Sequence, residues 1–156
     1  MQQLGQQITR DYQNKSLVLL VILKGSFMFA ADLARSIDLP LRIEFLGVQS
    51  YGDDTASSGV VQITLDLTRP IEGEDVLIVE DIVDTGLTLR YLQEILIKRA
   101  PRTLRTACLL SKPSRRRVEV PVEYIGFTIE DKFVVGYGLD HAEQYRNLPH
   151  IAVIAV

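Results

Sequence analysis

The stretch Val76-Leu-Ile-Val-Glu-Asp-Ile-Val-Asp-Thr-Gly-Leu-Thr88 decides how this chain folds. Four apolar residues in a row, Val76 to Val79, mark a strand buried on both faces, as in parallel sheets. Glu80 and Asp81 follow at its carboxyl end, where open α/β sheets bind ligands. Asp84-Thr-Gly-Leu-Thr88 then opens a helix running to about Arg99, with Leu89, Leu92, Ile95 and Leu96 at helical spacing. Backbone N–H groups, two threonine hydroxyls and the helix dipole can wrap a phosphate there. Gly86 lets the backbone come close.

This is not a Walker loop, because no Gly-Lys-Ser/Thr is present. It is not a dinucleotide fingerprint either, because the acids precede the phosphate turn instead of sitting on a later strand. Acids beside a phosphate nest make sense if they hold ribose hydroxyls or Mg²⁺. The ligand implied is a ribose 5-phosphate carrying further charge. The plainer alternative is that Glu80 and Asp81 are solvated strand-end acids and Asp84 only caps a helix; three acids around one phosphate turn argue against it.

Outward from this stretch the chain keeps an α/β rhythm. Leu4 to Tyr12 reads as an amphipathic helix with Leu4 and Ile8 on one face. Leu17 to Leu23 is a buried strand, and Ser26 can cap a helix running to about Ser36. Leu41 to Val48 is a second strand, Ser50 to Ser58 an exposed loop, and Gly59 to Leu67 an edge or hairpin strand with one polar face. Thr103 to Leu110 is a further strand, so strand, helix and strand form a parallel unit. After Lys112-Pro113, short pieces at Val118 to Val122, Tyr124 to Ile129 and Phe133 to Val135 are expected to form a small flap. Ile151 to Val156 reads as a last strand.

The 156 residues suit one domain with a real core. A 47% hydrophobic and 24% charged composition excludes a disordered chain. One cysteine, Cys108, excludes a disulfide framework and reads as inert core. A net charge of -3 argues against nucleic-acid binding through bulk charge. Leu17 to Leu23 is too short to span a bilayer, and no secretory signal opens the chain. The expectation is a cytoplasmic protein with no membrane and no nucleic-acid partner. Arg115-Arg-Arg117 reads as a solvated loop beside Lys112 or a subunit contact. His141 and His150 have no partner at metal-ligand spacing, and Tyr137 either packs in the flap or lines the pocket.

Glu80-Asp-Ile-Val-Asp-Thr-Gly86 resembles the phosphoribosyl-diphosphate (PRPP) motif of type I phosphoribosyltransferases. Leu23-Lys-Gly-Ser26, Ser50-Tyr-Gly52, Ser111-Lys-Pro113 and Lys132-Phe-Val-Val-Gly-Tyr-Gly-Leu-Asp140 add four blocks in the right order. From about Leu4 to Ile151 the chain resembles the hypoxanthine-guanine branch. The resemblance implies a type I phosphoribosyltransferase fold: a mostly parallel central sheet flanked by helices, with a small flap or hood. One domain, 1–156, would take its hood mainly from about 112–147. Family members usually carry about one more helical segment before Leu4, so either part of the flap lacks support or the chain is trimmed.

The resemblance also implies transfer of a phosphoribosyl group from PRPP to N9 of hypoxanthine or guanine, giving IMP or GMP and pyrophosphate, with Mg²⁺ as cofactor. Glu80 and Asp81 would hold the ribose hydroxyls and one Mg²⁺. Asp84 would face N7 of the purine as general base or acceptor. Asp84, Thr85, Gly86, Leu87 and Thr88 would take the 5′-phosphate; Leu87 stands where some eukaryotic relatives have Lys. Lys24, Gly25 and Arg146 would hold pyrophosphate, and the Lys24–Gly25 peptide is the one expected to be cis. Lys112 would donate to O6 of a 6-oxopurine, which adenine's amino group cannot accept. Phe133 would stack on the base and the Val134 carbonyl would accept from its edge. Asp140 would hold a second Mg²⁺ beside the base and pyrophosphate. Ser50 and Tyr51 would sit on a closing loop. A homodimer or homotetramer is expected. A rival from another class is an RNA-binding regulator on the same fold, which a gel shift without base consumption would favour.

Overall fold

The computed structural model describes residues 1–50 and 60–155. Its elements in chain order are α1 (Gln2–Asp11), β1 (Leu17–Leu23), α2 (Phe27–Ser36), β2 (Leu41–Ser50), β3 (Val61–Leu65), β4 (Asp75–Val83), α3 (Leu87–Ile97), β5 (Thr103–Ser111), a 3-10 turn (Pro113–Arg115), β6 (Tyr124–Thr128), β7 (Val134–Val135) and β8 (Ala152–Val153). Six strands form one sheet in the order β3-β2-β1-β4-β5-β6, parallel except for β3. The uninterrupted apolar runs of β1 and β4 take the two central places, where both faces are covered. On one face Ile8 of α1, Tyr12 just past its end, and Phe29 and Leu33 of α2 pack on Leu19, Val21 and Leu77. On the other, Leu89, Leu92 and Leu96 of α3 pack on Leu20, Val76 and Ile78. The half-polar strand β3 closes one edge antiparallel to β2. Among the described residues no helix is long and apolar enough to cross a membrane.

Four details differ from the sequence reading. β4 runs on through Glu80 and Asp81 to Val83, because Ile82 and Val83 pair with Leu110 and Ser111 of β5. β6 belongs to the main sheet, parallel to β5, and not to a flap. Its first residue explains why: the Tyr124 ring is buried and its hydroxyl donates to Asp11 Oδ2 of α1 at 2.7 Å. Residues 118–122 form no strand. Pro121 has no N–H for a ladder, its carbonyl accepts from Gln93 Nε2 at 3.0 Å, and Val120 and Val122 pack with the α3 core. Ser26 does not cap α2 with its side chain; the buried hydroxyl donates back to the Ile22 carbonyl. The separate small sheet is only β7 with β8, antiparallel.

Candidate active site

A cavity of about 480 Å³ opens at the carboxyl ends of β1 and β4. Its floor is Glu80 and Asp81, its wall the turn Asp84 to Thr88, and its far side Lys24, Gly25, Asp140 and Arg146. Gly86 holds φ +85°, a left-handed conformation that glycine adopts without strain. It is the N-cap of α3, so the first amides of that helix have no partners within it. The Thr85 hydroxyl accepts from the Leu87 N–H at 3.4 Å.

The two acids lie where charge is costly. Glu80 is buried, and burial, with the Asp81 charge next to it, pushes its carboxyl well above the usual range. Burial also raises Asp81, against the opposing pull of the Glu80 hydrogen bond, the Ile82 N–H and Arg146. The Asp81 backbone N–H donates to Glu80 Oε1 at 3.2 Å, and the Ile82 N–H to Asp81 Oδ1 at 2.6 Å. Two adjacent carboxylates in a desolvated floor suit a bound cation, because a divalent ion would offset the repulsion that now favours protons. Among the described residues no group of three or more acid, His or Cys side chains converges on one metal position. Glu80 and Asp81 lie together, and Asp140 lines the same cavity separately.

The turn after β1 presses on this floor. A Cβ at Gly25 would lie 1.6 Å from Asp81 Oδ2, so any side chain there displaces the carboxylate or the turn. The cis peptide of this turn is Leu23–Lys24, one bond earlier than expected. Lys24 Nζ reaches Glu143 Oε2 at 3.0 Å. Arg146 donates through Nη1 to the Gly138 carbonyl at 2.8 Å, and its Nη2 lies 3.1 Å from Asp140 Oδ1 and 3.2 Å from Glu143 Oε1. Its Nε is buried without a partner among the described residues.

The strand-end acid pair and the glycine-opened turn both fall within one family match that runs along most of the chain: the profile described as a phosphoribosyl transferase domain covers residues 1–142. The chain belongs to the phosphoribosyltransferase family. It is 56% identical over 153 residues to a hypoxanthine-guanine phosphoribosyltransferase of Dictyostelium discoideum, covering 96% of this chain and 85% of that one. A hypoxanthine phosphoribosyltransferase of Haemophilus influenzae is 52% identical over 157 residues, covering 99% and 88%. A crystal structure of a hypoxanthine phosphoribosyltransferase from Staphylococcus aureus superposes with a TM-score of 0.95 at 50% identity, covering 99% of this chain and 84% of that one.

Within this phosphoribosyltransferase fold, the residues expected on the sugar-phosphate side line the same cavity, except Leu87. Those expected to read the base stand beside it. Lys112, Phe133 and Val134 do not line the cavity. Lys112 is anchored by its N–H to the Val83 carbonyl at 3.0 Å, and its buried ammonium is 3.7 Å from Asp131 Oδ1. The Phe133 ring meets His141 edge-on at 5.3 Å. Tyr137 packs: its hydroxyl bonds Asp32 of α2. Ser50 is exposed at the end of β2, and Tyr51 lies outside the described residues. Cys108 is fully buried, and burial pushes its thiol up to about 12, as an inert core residue requires.

Arg115 and Arg117 are exposed and Arg116 is half-buried on the loop beside Lys112, and all three also contact the turn at Asp84 and Thr85. Arg115 Nε donates to Asp84 Oδ1 at 3.2 Å. Arg116 bridges the Asp84 carbonyl at 3.0 Å and the Ser111 hydroxyl at 2.9 Å. The Arg117 N–H donates to the Thr85 carbonyl at 2.9 Å.

Proposed function

We propose that this phosphoribosyltransferase is the hypoxanthine-guanine enzyme of purine salvage, forming IMP or GMP and pyrophosphate from PRPP and the free base. The observation that carries this reading is the single cavity that joins Glu80 and Asp81 to the amide-lined turn Asp84 to Thr88. As pyrophosphate leaves the anomeric carbon, positive charge builds on the sugar. Glu80 and Asp81 hold the ribose diol, and their negative charge favours that transition state. The turn grips the 5′-phosphate, which orients the sugar.

Glu80 and Asp81, with Asp140 on the pyrophosphate side, are the residues that would hold Mg²⁺, which supplies charge neutralisation for the leaving group when bound. Lys24, the Gly25 amide and Arg146 face that leaving group; a guanidinium suits phosphate oxygens. Asp84 accepts from N7–H of the purine as N9 attacks. Lys112 donates to O6, Phe133 stacks on the ring, and the Val134 carbonyl accepts from its edge. The hood comes mainly from about 112–147, with β6 excepted, and the protein works in the cytoplasm as a homodimer or homotetramer.

The test is a competition assay with PRPP, Mg²⁺ and an equimolar mixture of hypoxanthine, guanine and adenine. Hypoxanthine and guanine should be consumed and adenine left, because a donor-only ammonium opposite the adenine amino group costs about 1–3 kcal/mol. Preferred consumption of adenine would overturn the role of Lys112.

A further inference from the structure

We propose that Arg115 and Asp131 form a charge relay that couples capture of the purine to release of Asp84. The relay rests on the reading of Lys112 as the O6 donor and Asp84 as the N7 acceptor. Arg115 Nε donates to Asp84 Oδ1 at 3.2 Å, and its Nη1 lies 3.7 Å from Asp131 Oδ2. The other oxygen of Asp131 lies 3.7 Å from the ammonium of Lys112, whose side chain is 9% exposed. Among the described residues Asp131 is the single ionic partner of Lys112. The four groups thus form a row of alternating charge, Lys112, Asp131, Arg115 and Asp84.

In this row the carboxylate needed at N7 is already taken by a guanidinium. A 6-oxopurine draws the Lys112 ammonium toward O6. Asp131 then keeps one cation instead of two and closes on Arg115. Arg115 leaves Asp84, and Asp84 becomes free to accept from N7–H. No covalent bond changes in the relay, no proton moves, and the four charges still sum to zero. A base with an amino group at position 6 repels Lys112, so Asp84 stays engaged. Selection for the oxo group thereby reaches the reacting side of the ring as well as the recognition side.

Steady-state kinetics of Arg115→Gln, Asp131→Asn, their double variant and Arg115→Lys test this, with KM for hypoxanthine and for PRPP measured separately. Arg115→Gln should lower the hypoxanthine KM about two- to fivefold, the yield of a partly exposed ion pair, and narrow the preference over adenine. Its PRPP KM should stay within about twofold of wild type. Asp131→Asn should raise the hypoxanthine KM by a similar factor, and that effect should vanish in the double variant. Arg115→Lys keeps the charge but has one nitrogen for the two carboxylates, so its hypoxanthine KM should fall between wild type and Arg115→Gln. A rise in either KM for Arg115→Gln, or additive effects in the double variant, overturns the relay while leaving the proposed activity standing. Wild-type protein that consumes no purine base overturns both.

Discussion

Gly25→Ala isolates the contact between the turn after β1 and the acid floor. The backbone at Gly25 is not in the left-handed region, so alanine adds no conformational strain there. The whole effect is steric. The added Cβ would lie 1.6 Å from Asp81 Oδ2 and 2.7 Å from Asp81 Cγ. To reach ordinary contact the carboxylate must retreat by about 2 Å, or the turn must lift by as much. A displacement of about 1 Å in a positioning group can cost 10²-fold, so kcat/KM for PRPP should fall by about 100-fold or more. Overpacking of this kind costs about 1–3 kcal/mol, which lowers the melting temperature of a chain this size by about 2–12 °C. The variant should therefore remain folded at 25 °C while losing activity. Gly73→Ala is the matched control. Gly73 has φ +69° and nothing within 4 Å of a built Cβ. Alanine there should cost about 1–2 kcal/mol of stability through backbone strain and leave PRPP kinetics unchanged. Steady-state kinetics with varied PRPP, beside thermal melts of both variants, gives the comparison. Gly25→Ala enzyme with kcat/KM for PRPP within about threefold of wild type would refute the argument that Asp81 is placed by this turn.

Asp75 is fully buried, and the Arg102 hydrogen bond, helped by Thr103, holds its carboxyl below the usual range. A depressed acid contributes stability above its unfolded pKa and loses it as pH falls through the native value. Asp75→Asn should lower the melting temperature by about 3–8 °C at pH 7, and the gap to wild type should shrink as thermal melts move into strong acid. Arg116→Ala removes the bridge between the Asp84 carbonyl and the Ser111 hydroxyl. Loss of such a charged hydrogen bond should cut kcat/KM for PRPP about 10- to 100-fold; an unchanged value would remove Arg116 from the placement of the turn. Glu143 pairs with both Lys24 and Arg146, the cations assigned to pyrophosphate. Glu143→Gln should free them and lower the PRPP KM by about two- to fivefold, most clearly at low ionic strength. A higher PRPP KM would mean that Glu143 orients these cations instead of competing for them.

The strand, acid pair and helix start proposed to hold the sugar-phosphate were legible in the sequence because they are neighbours in the chain. Glu80 to Thr88 is nine consecutive residues, and strand, acids and helix start follow from local pattern alone. Distant contacts were not legible in this way. Tyr124 to Thr128 announces a strand by its apolar residues, but its partner is chosen by the Tyr124 hydroxyl reaching Asp11, 113 positions upstream. Register and neighbour are long-range properties, so the strand was read correctly and its sheet was not. Gly25 is marked in the sequence only by the block it shares with Lys24; the steric reason for a glycine there is Asp81, on another strand. Arg115 to Arg117 reads as a solvated run because a charge pattern carries no distance. Folding sets Arg115 against Asp84, 31 positions earlier. The same division runs through the chemistry. Under the proposed function, gripping a phosphorylated sugar takes one strand end and the helix that follows it, and reading a purine takes Lys112 and Asp131, both beyond β5, acting on an acid beyond β4. The base side of such a site can therefore vary by single exchanges at positions like Arg115 while the phosphate turn stays as it is, and a shift in base preference without a shift in PRPP affinity is the expected signature of change there.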